Sequence, residues 1–599
     1  MLVHVAPAAG SKLPKRPLVV TYLGRLRRFI FGFALFKHVV CAFYLAAEVV
    51  IFLNMDATQT RSAHAFALPV VIVVYLCLAA VHVLSLLYYL GDAVGLVRLS
   101  VHFHSPRSFA WLVHWATYKP ALAAYNVFEL GCQTFEAFEF ASMVVDRRLV
   151  ATYVVLVALH AIVAPTVVCL HHSTSRLLLL NWFSSLLSFL VSCVLHIVGL
   201  VVPLLHYFLV DFTINRDPAW LTRNVLYARY NFVTSPVDFI AKIMIQLGSL
   251  VSIWRLLASL HVAKTLQSQG RRLSTALLHR PIDTRRLKLY HVCSTLWGLA
   301  LLVSLGHAFY GRQSCPSTCA AAAAPLWTTA CQCMYVHVNC YTLGHDDVDA
   351  ALDAHVVGPR VFALVVSRCD LPDGIGNATL NQFQSLYFVK LIFTHTKTWS
   401  AQLPPSTYAV VLEYAAFTSL PAILRENLGP YLSVLGFVSL PMTSFEIPDH
   451  AWVNVTRLTV TNLSLAALPP NVAMLPLVHL LADRNQLTNV STQVLQMPSL
   501  NYLDASANNL HEGPWSLLTT MPHSTLLLCG NPLSGPPDSI GPALRQVYVA
   551  EAAAACSPLC APYCFPYLVG DHDCQLACFN AACNFDGGDC DDFGFDRPD

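Results

Sequence analysis

The sequence predicts a multi-domain chain: an α-helical polytopic membrane region, then a curved repeat solenoid, then a small disulfide-rich terminal module. Three observations predict it. The 599 residues are 56% hydrophobic and only 12% charged, a balance that points to membrane segments. Residues 1–310 hold 26 Lys/Arg, 11 Asp/Glu and 6 cysteines, net +15, whereas residues 311–599 hold 10, 23 and 14, net −13. The basic part suits cytoplasm and anionic lipid, and the acidic, cysteine-rich part suits an oxidising exterior. Finally, a 23-residue period and a dense run of cysteines both fall in the second part.

Residues 1–28 form a basic tail (Lys12, Lys15, Arg16, Arg25, Arg27, Arg28), which keeps the N-terminus inside and makes the first span a retained anchor. The membrane region, 29–310, offers five apolar stretches of about 20 residues, the length of one crossing: 29–53, 65–90, 149–170, 177–201 and 291–310. Loop 91–148 carries Arg98, Arg107, Lys119, Arg147 and Arg148. The loop before the last span carries Lys264, Arg271, Arg272, Arg280, Arg285, Arg286 and Lys288. Both are expected inside, and the short loops 54–64 and 171–176 outside. Residues 239–262, interrupted by Lys242, Gln246 and Arg255, read as an interfacial helix rather than a sixth crossing. The run 202–210 reads as a helix extension or a re-entrant piece. Five crossings put everything after Tyr310 outside. Within the first span Lys37 and Glu48 share a face, and a Lys–Glu contact with a neighbouring helix is expected. His82, His160, His196 and His307 stand singly and read as packing residues. No paired intramembrane carboxylates are expected.

The second part begins with a cysteine-rich stretch, 311–359, in which Cys315, Cys319, Cys331, Cys333 and Cys340 are expected to form a disulfide-bonded cap. Beyond it the chain repeats. Leu477, Leu480, Ala482, Asn485 and Leu487 fit L-x-x-L-x-L-x-x-N-x-L; Leu500, Leu503, Ala505, Asn508 and Leu510 follow 23 residues later, and His523, Leu526, Leu528, Asn531 and Leu533 after another 23. Looser copies run back through Val455, Leu432 and Leu386 to Val361, where Cys369 takes the Asn place. The copy at Leu412, Tyr414 and Phe417 is the weakest. The pattern resembles the leucine-rich repeat, whose period is 20–29. That resemblance implies a solenoid over 360–545, with a leucine core, an Asn ladder bonded to backbone and a strand-lined concave face. Recognition would then fall to variable positions such as His479, Leu481, Asp483, Arg484, Asn501, Tyr502, Asp504 and Ser506. Cys369 and Cys529 read as core thiols, and Cys556 is unassigned. Sequons at Asn377, Asn454, Asn462 and Asn489 all lie in this part and are expected glycosylation sites.

The last cysteines run Cys560-x3-Cys564-x9-Cys574-x3-Cys578-x4-Cys583-x6-Cys590, with Asp586-Gly587-Gly588-Asp589 before the final one. Spacing alone leaves 15 connectivities open. The stretch 556–592 resembles the Notch/LIN-12 repeat, the LNR module. The resemblance implies pairs Cys560–Cys583, Cys564–Cys578 and Cys574–Cys590, and a bound Ca2+. Calcium takes 6–8 oxygen ligands. Asp586 and Asp589 flank a flexible turn that aims both carboxylates at one point. Asp571 stands where the resemblance implies a ligand. Leu568, three residues earlier, offers only a carbonyl, and Asp573 is a possible substitute. With the cysteines in disulfides and no His pair, the site is not one for zinc. A dissociation constant on the order of 0.1–1 mM is usual for extracellular modules. Asp591, Asp592, Asp596 and Asp599 read as a solvated tail.

No H-E-x-x-H, G-x-S-x-G, P-loop or kinase set occurs, so no enzymatic activity is expected. The expected protein is a multi-pass, receptor-like or adhesion protein of the cell surface with its C-terminal half extracellular. Its membrane region would meet lipid, its repeats an extracellular protein or glycan, and neither part nucleic acid. The alternative is a transporter- or channel-like protein with an accessory ectodomain. A third reading is a scaffold acting through its basic cytoplasmic loops.

Overall fold

The computed structural model describes residues 17–55, 57–94, 119–169, 174–269, 284–426, 428–513, 525–534, 547–548 and 559–597. Lys12, Lys15, Arg16, Arg98, Arg107, Arg271, Arg272, Arg280, His523, Cys556 and Asp599 lie outside the described residues.

The first part is helical: α1 (Pro17–Asn54), α2 (Ala57–Ser62), α3 (Leu68–Val94), α4 (Lys119–Met143), α5 (Arg147–Cys169), α6 (Thr174–Phe189), α7 (Leu195–Leu209), α8 (Pro218–Asn231), α9 (Pro236–Gln269) and α10 (Thr284–Tyr310). A π-helical turn, Leu190–Val194, joins α6 to α7. Among the described residues six segments are long and apolar enough to cross a membrane: Leu26–Asn54, Leu68–Gly91, Arg147–Thr166, Leu178–Leu209, Pro236–Leu257 and Arg285–Tyr310. The sixth, Pro236–Leu257, is the helix expected to lie at an interface. It is instead packed between α1, α4 and α6, with Ile253 and Leu256 at 0% exposure. Its polar groups are spent on neighbours. Lys242 donates to the carbonyls of Tyr230 and Phe232, and Gln246 to that of Ser192. The run 202–210 is a helix extension, since α7 continues through Pro203.

Loop 91–148 is also corrected, because it contains α4, which packs against α5 and α9 and buries Gln133, Ala137, Phe140 and Ala141 completely. Its Glu129, Glu136 and Glu139 dilute the apolar pattern in the sequence. With α4 added, the long helices alternate in direction. The solenoid end holds the C-terminus of α4, where Ala324 N donates to Ala141 O, and the α7–α8 loop, where Asp211 pairs with His572. Arg147 and Arg148, expected inside, therefore begin α5 at the solenoid end, and α5 runs away from it. The short loop after α5, expected outside, follows its far end. Lys37 also departs from expectation: its ammonium donates to Ser185 O, Ser185 Oγ and Ser252 Oγ, not to a glutamate. His38 and His82 are not isolated but meet each other at 3.0 Å.

The second part is one sheet of eleven strands in chain order: β1 (Cys319–Ala322), β2 (Cys333–Asn339), β3 (Ala363–Ser367), β4 (Phe388–Ile392), β5 (Ala409–Glu413), β6 (Val434–Val438), β7 (Arg457–Thr461), β8 (His479–Leu481), β9 (Tyr502–Asp504), β10 (Thr525–Leu527) and β11 (Val547–Tyr548). The sheet is parallel from β2 onward, and β1 caps it antiparallel to β2. One register row runs Leu364, Val389, Val410, Leu435, Leu458, Leu480, Leu503, Leu526, and every member is at most 2% exposed. A repeating leucine thus becomes one rung of a continuous core. The stack starts at β2, inside the stretch expected to be cap. In the weak copy Val410, not Tyr414, fills the core row, and Tyr414 takes a left-handed turn after the strand.

The cap disulfides are Cys315–Cys331 and Cys319–Cys333. Cys369 is not a core thiol: paired strand ends bring it to Cys340, and the two are bonded. Cys529 is disulfide-bonded as well. The Asn ladder is present. Asn485 Oδ1 accepts from Leu463 N (2.9 Å) and Leu465 N (3.1 Å), while its Nδ2 donates to Val460 O. Asn508 and Asn531 repeat the arrangement with Leu487 and Leu510. Asn485→Ala strands one buried and one partly buried N–H group, and a buried one costs about 1–3 kcal/mol when unsatisfied. The expected result is a loss of about 1–3 kcal/mol in denaturant unfolding of the second part, with the exposed Asn489→Ala unchanged.

The solenoid is seated on the helix ends. Phe362, Tyr387 and Tyr408 stack in a row at 4.7 Å spacing, and the Arg229 guanidinium of α8 lies over the first two. Arg61 donates to Asn454 Oδ1 at 3.0 Å. That sequon is thus part of a contact, whereas Asn377, Asn462 and Asn489 are exposed.

Candidate metal centre and the junction around it

The terminal module has little regular structure beyond short 3-10 turns at Pro566–Leu568, Ala581–Cys583, Asp586–Gly588 and Asp591–Phe593. Its core is small, made of Phe565, Leu568 and the disulfides Cys560–Cys583, Cys564–Cys578 and Cys574–Cys590. So small a core needs covalent or ionic support. Five successive residues, Asn584 to Gly588, have positive φ, which curls the backbone tightly. At Gly587 a Cβ would stand 2.7 Å from Gly570 Cα, so only glycine allows the Asp586 turn to lie against Gly570 and Asp571.

This fold places Asp571, Asp586 and Asp589 around one turn, with Gln575 bonded to both Asp571 and Asp586. Asp586 is fully buried; its Oδ2 accepts from Gln575 N at 2.6 Å, and its Oδ1 has no partner. Asp571 Oδ1 accepts from Gln575 Nε2 at 3.1 Å, and Asp589 Oδ2 from His572 N at 3.0 Å. Gln575 Oε1 is a second buried oxygen without a partner. Burial pushes the Asp571 carboxyl up to about 8, against the pull of Arg216, and Asp586 up to about 7; Asp589 is raised too. A buried carboxylate oxygen and an amide oxygen, both without a partner, are donors that a hard cation satisfies. Asp586 Oδ1 and Gln575 Oε1, with Asp571 and Asp589 on either side, are the oxygens that would hold Ca2+. Cys574 and Cys590, which border Asp586, are bonded to each other and offer no thiolate.

Leu568 packs its side chain into the module core, which leaves its carbonyl as the donor the sequence offered. One residue weighed as a ligand goes elsewhere. Asp573 faces away, with its Oδ1 3.0 Å from Lys390 Nζ of β4, which also holds Glu413 Oε2 of β5 at 3.0 Å. Asp571 meets Arg216, on the loop between α7 and α8, and His572 Nε2 meets Asp211 Oδ2 at 2.7 Å. Three consecutive module residues therefore reach the helical part and the solenoid at once. Sequence reasoning missed Gln575, Arg216, Lys390 and Glu413. Only Lys390 and Glu413 carried a signal, each as a charge at an outward position of a strand.

The module lies over the concave face expected to be an open recognition surface. Asp483, Asp504 and Ser506 are buried, and Tyr567 OH reaches Asp504 Oδ2 at 3.4 Å. Burial, with Asp483 beside it, raises Asp504 to about 7. Leu576 N donates to Tyr414 OH. The tail crosses the other end, where Arg368 stacks on Tyr341 and Phe595 and donates to the Phe593 and Gly594 carbonyls. His479, Leu481 and Tyr502 remain accessible in a cavity of about 430 Å³, shared with Arg216, Arg457 and Asp573.

The geometry defines a parallel repeat solenoid, capped by disulfides, carried on a helical region and covered by a disulfide-knotted module. Residues 554–591 match the family model described as the LNR domain of Notch. No curated protein matches the chain. Among solved structures it is similar to human 5T4 (Wnt-activated inhibitory factor 1, trophoblast glycoprotein), at 20% identity over 34% of this chain and 81% of that one, with a TM-score of 0.29. It is also similar to TLR13 in a complex with ssRNA13 (13%, 32% and 36%, TM-score 0.23) and to Drosophila Toll with Spatzle (14%, 32% and 33%, TM-score 0.23). The solenoid assignment rests on the strand stack and the Asn ladder.

Proposed function

We propose that the chain is a multi-pass cell-surface protein, receptor-like or adhesive, whose C-terminal half is extracellular and whose LNR module, holding Ca2+, latches the solenoid onto the outer ends of the membrane helices. One observation carries this reading: Asp571 on Arg216 and Asp573 on Lys390 join all three parts through one short segment. Large apolar side chains on the outside of the long helices, such as Phe43, Leu84 and Val303, support a lipid-facing surface. The disulfides support an oxidising exterior. Basic residues near the N-terminus support an inside tail. The partner is an extracellular protein or glycan meeting the remaining concave surface and its cavity. Nucleic acid is not a partner, and no catalysis is assigned.

Protease added to intact cells is expected to remove residues after Gly311, with glycans on Asn377, Asn462 or Asn489. Cysteines beyond Gly311 should react with thiol reagents only after reduction. A second half that stays protected in sealed cells, or whose thiols react without reductant, would overturn the topology.

A further inference from the structure

Among the described residues four carboxylates are buried in the long helices, and the junction uses none of them: Glu48 on α1, Glu129 and Glu136 on α4, and Asp238 on α9. Two have donors. Asp238 receives Lys242 Nζ at 2.7 Å and Thr234 N at 2.7 Å. Glu129 accepts from Gln133 Nε2 at 3.1 Å, in space left by Gly248, where a Cβ would stand 2.1 Å from Glu129 Oε1. Glu136 differs. It is 1% exposed, and neither carboxyl oxygen has a hydrogen-bond partner. Facing it are Asp238 from α9 and the buried hydroxyl of Tyr230 from α8, which lies between Glu136 and the buried Tyr153 hydroxyl of α5. On α1, Glu48 keeps Oε1 unpartnered, with Tyr44 on its own helix and Tyr75 of α3 and Tyr227 of α8 around it.

The cation nearest these groups is Lys242. An ammonium has three N–H bonds, and all three are taken by Asp238 Oδ1, Tyr230 O and Phe232 O. Lys37 spends its own on Ser185 and Ser252. An ionised carboxylate without a donor in an apolar bundle costs several kcal/mol. Glu136 must therefore hold a proton or a bound cation, whereas Glu48 has Tyr44 to donate to it. Glu129 and Glu136, seven residues apart on α4, share a face about 10 Å apart along the axis. Ionisable groups at such depth mark ion or proton paths. Two of these carboxylates lie on α4, which the sequence reading did not place among the helices because it put 119–143 in a loop.

We propose that Glu136, with Tyr153 and Tyr230, forms an intramembrane site for a monovalent cation, either a proton or an alkali-metal ion, with Glu129 as the next carboxylate along α4. This site is independent of the ectodomain reading and stands or falls apart from it.

Dicyclohexylcarbodiimide tests it on the full chain purified in detergent. The reagent adds to a protonated carboxyl group, and the O-acylisourea rearranges to a stable N-acylurea without losing a group. The expected result is an adduct on the peptide containing Glu136 that falls about tenfold per pH unit above its midpoint. Glu136→Gln abolishes it. Tyr230→Phe, which keeps the ring, shifts the midpoint. If the site takes an alkali ion, sodium in place of choline suppresses labelling at fixed pH; if it takes only a proton, sodium has no effect. No adduct at any pH from 5 to 9, or an adduct that neither pH nor sodium alters, overturns the proposal, as does an unshifted midpoint in Tyr230→Phe.

Discussion

Lys390→Met is expected to release the terminal module from the solenoid. Lys390 is 7% exposed and sits between two carboxylates, Glu413 Oε2 and Asp573 Oδ1, each at 3.0 Å. Burial works against its charge, and the two carboxylates more than restore it, so its pKa lies above the ordinary lysine value. Methionine fills similar space but removes the charge that holds the carboxylates together. Two acidic groups then face each other in a closed junction. Breaking a buried pair in this way costs about 3–5 kcal/mol, comparable with the whole stability of a small domain. Hydroxyl-radical footprinting of the full chain reads the result. Tyr567 and Tyr502, which flank the junction, should gain reactivity, while Trp399 and Trp452, fully buried in the solenoid, should not. Lys390→Met with Glu413→Met removes one charge of each sign and should recover part of the protection. If Tyr567 stays as protected in Lys390→Met as in the parent chain, the ion cluster does not hold the module.

What could be read from the sequence follows from the range of each interaction. The leucine rungs were legible because each repeat obeys the same local rule, and Leu480, Leu503 and Leu526 recur at a fixed interval. The register of the β5 unit was not, because Val410 and Leu412 are both apolar at alternating positions and either pattern fits a strand. The carboxylates of the terminal turn were legible from Asp586-Gly-Gly-Asp589. That Asp573 turns to Lys390 while Gln575, two residues on, turns inward is a matter of side-chain direction in a segment without periodicity. Arg216 lies 355 residues from Asp571 in the chain, and no local pattern announces such a pair. Helix α4 escaped notice for the opposite reason. Glu129 and Glu136 made it look solvated, and only the packing of α5 and α9 around it shows that the charges face inward. Polar residues in a membrane region mislead hydropathy where they matter most.

Calcium withdrawal should separate the two roles that neighbouring aspartates play. With a dissociation constant on the order of 0.1–1 mM and free calcium up to about ten times that value, occupancy contributes up to about 1.4 kcal/mol to the folded module. A chelator should therefore raise the rate at which protease cuts within 559–597 by up to about tenfold, and should let Cys574–Cys590, the disulfide beside Asp586, exchange in mild reductant. Asp586→Asn keeps the size of the side chain and an oxygen for Gln575 N but removes the charge that draws the ion. Its cutting rate should match that of the chelated parent and should no longer respond to calcium. Asp573→Asn predicts the reverse. Its carboxylate serves Lys390, so the module should undock while the response to calcium survives. Asp571→Asn touches both functions, since one oxygen meets Arg216 and the other the Gln575 amide beside Asp586, where the proposed ion would sit. It should lose docking and calcium response together. Should Asp573→Asn lose the calcium response while Asp586→Asn keeps it, the ion would sit among the residues of the junction, and the latch and the metal would be one site rather than two.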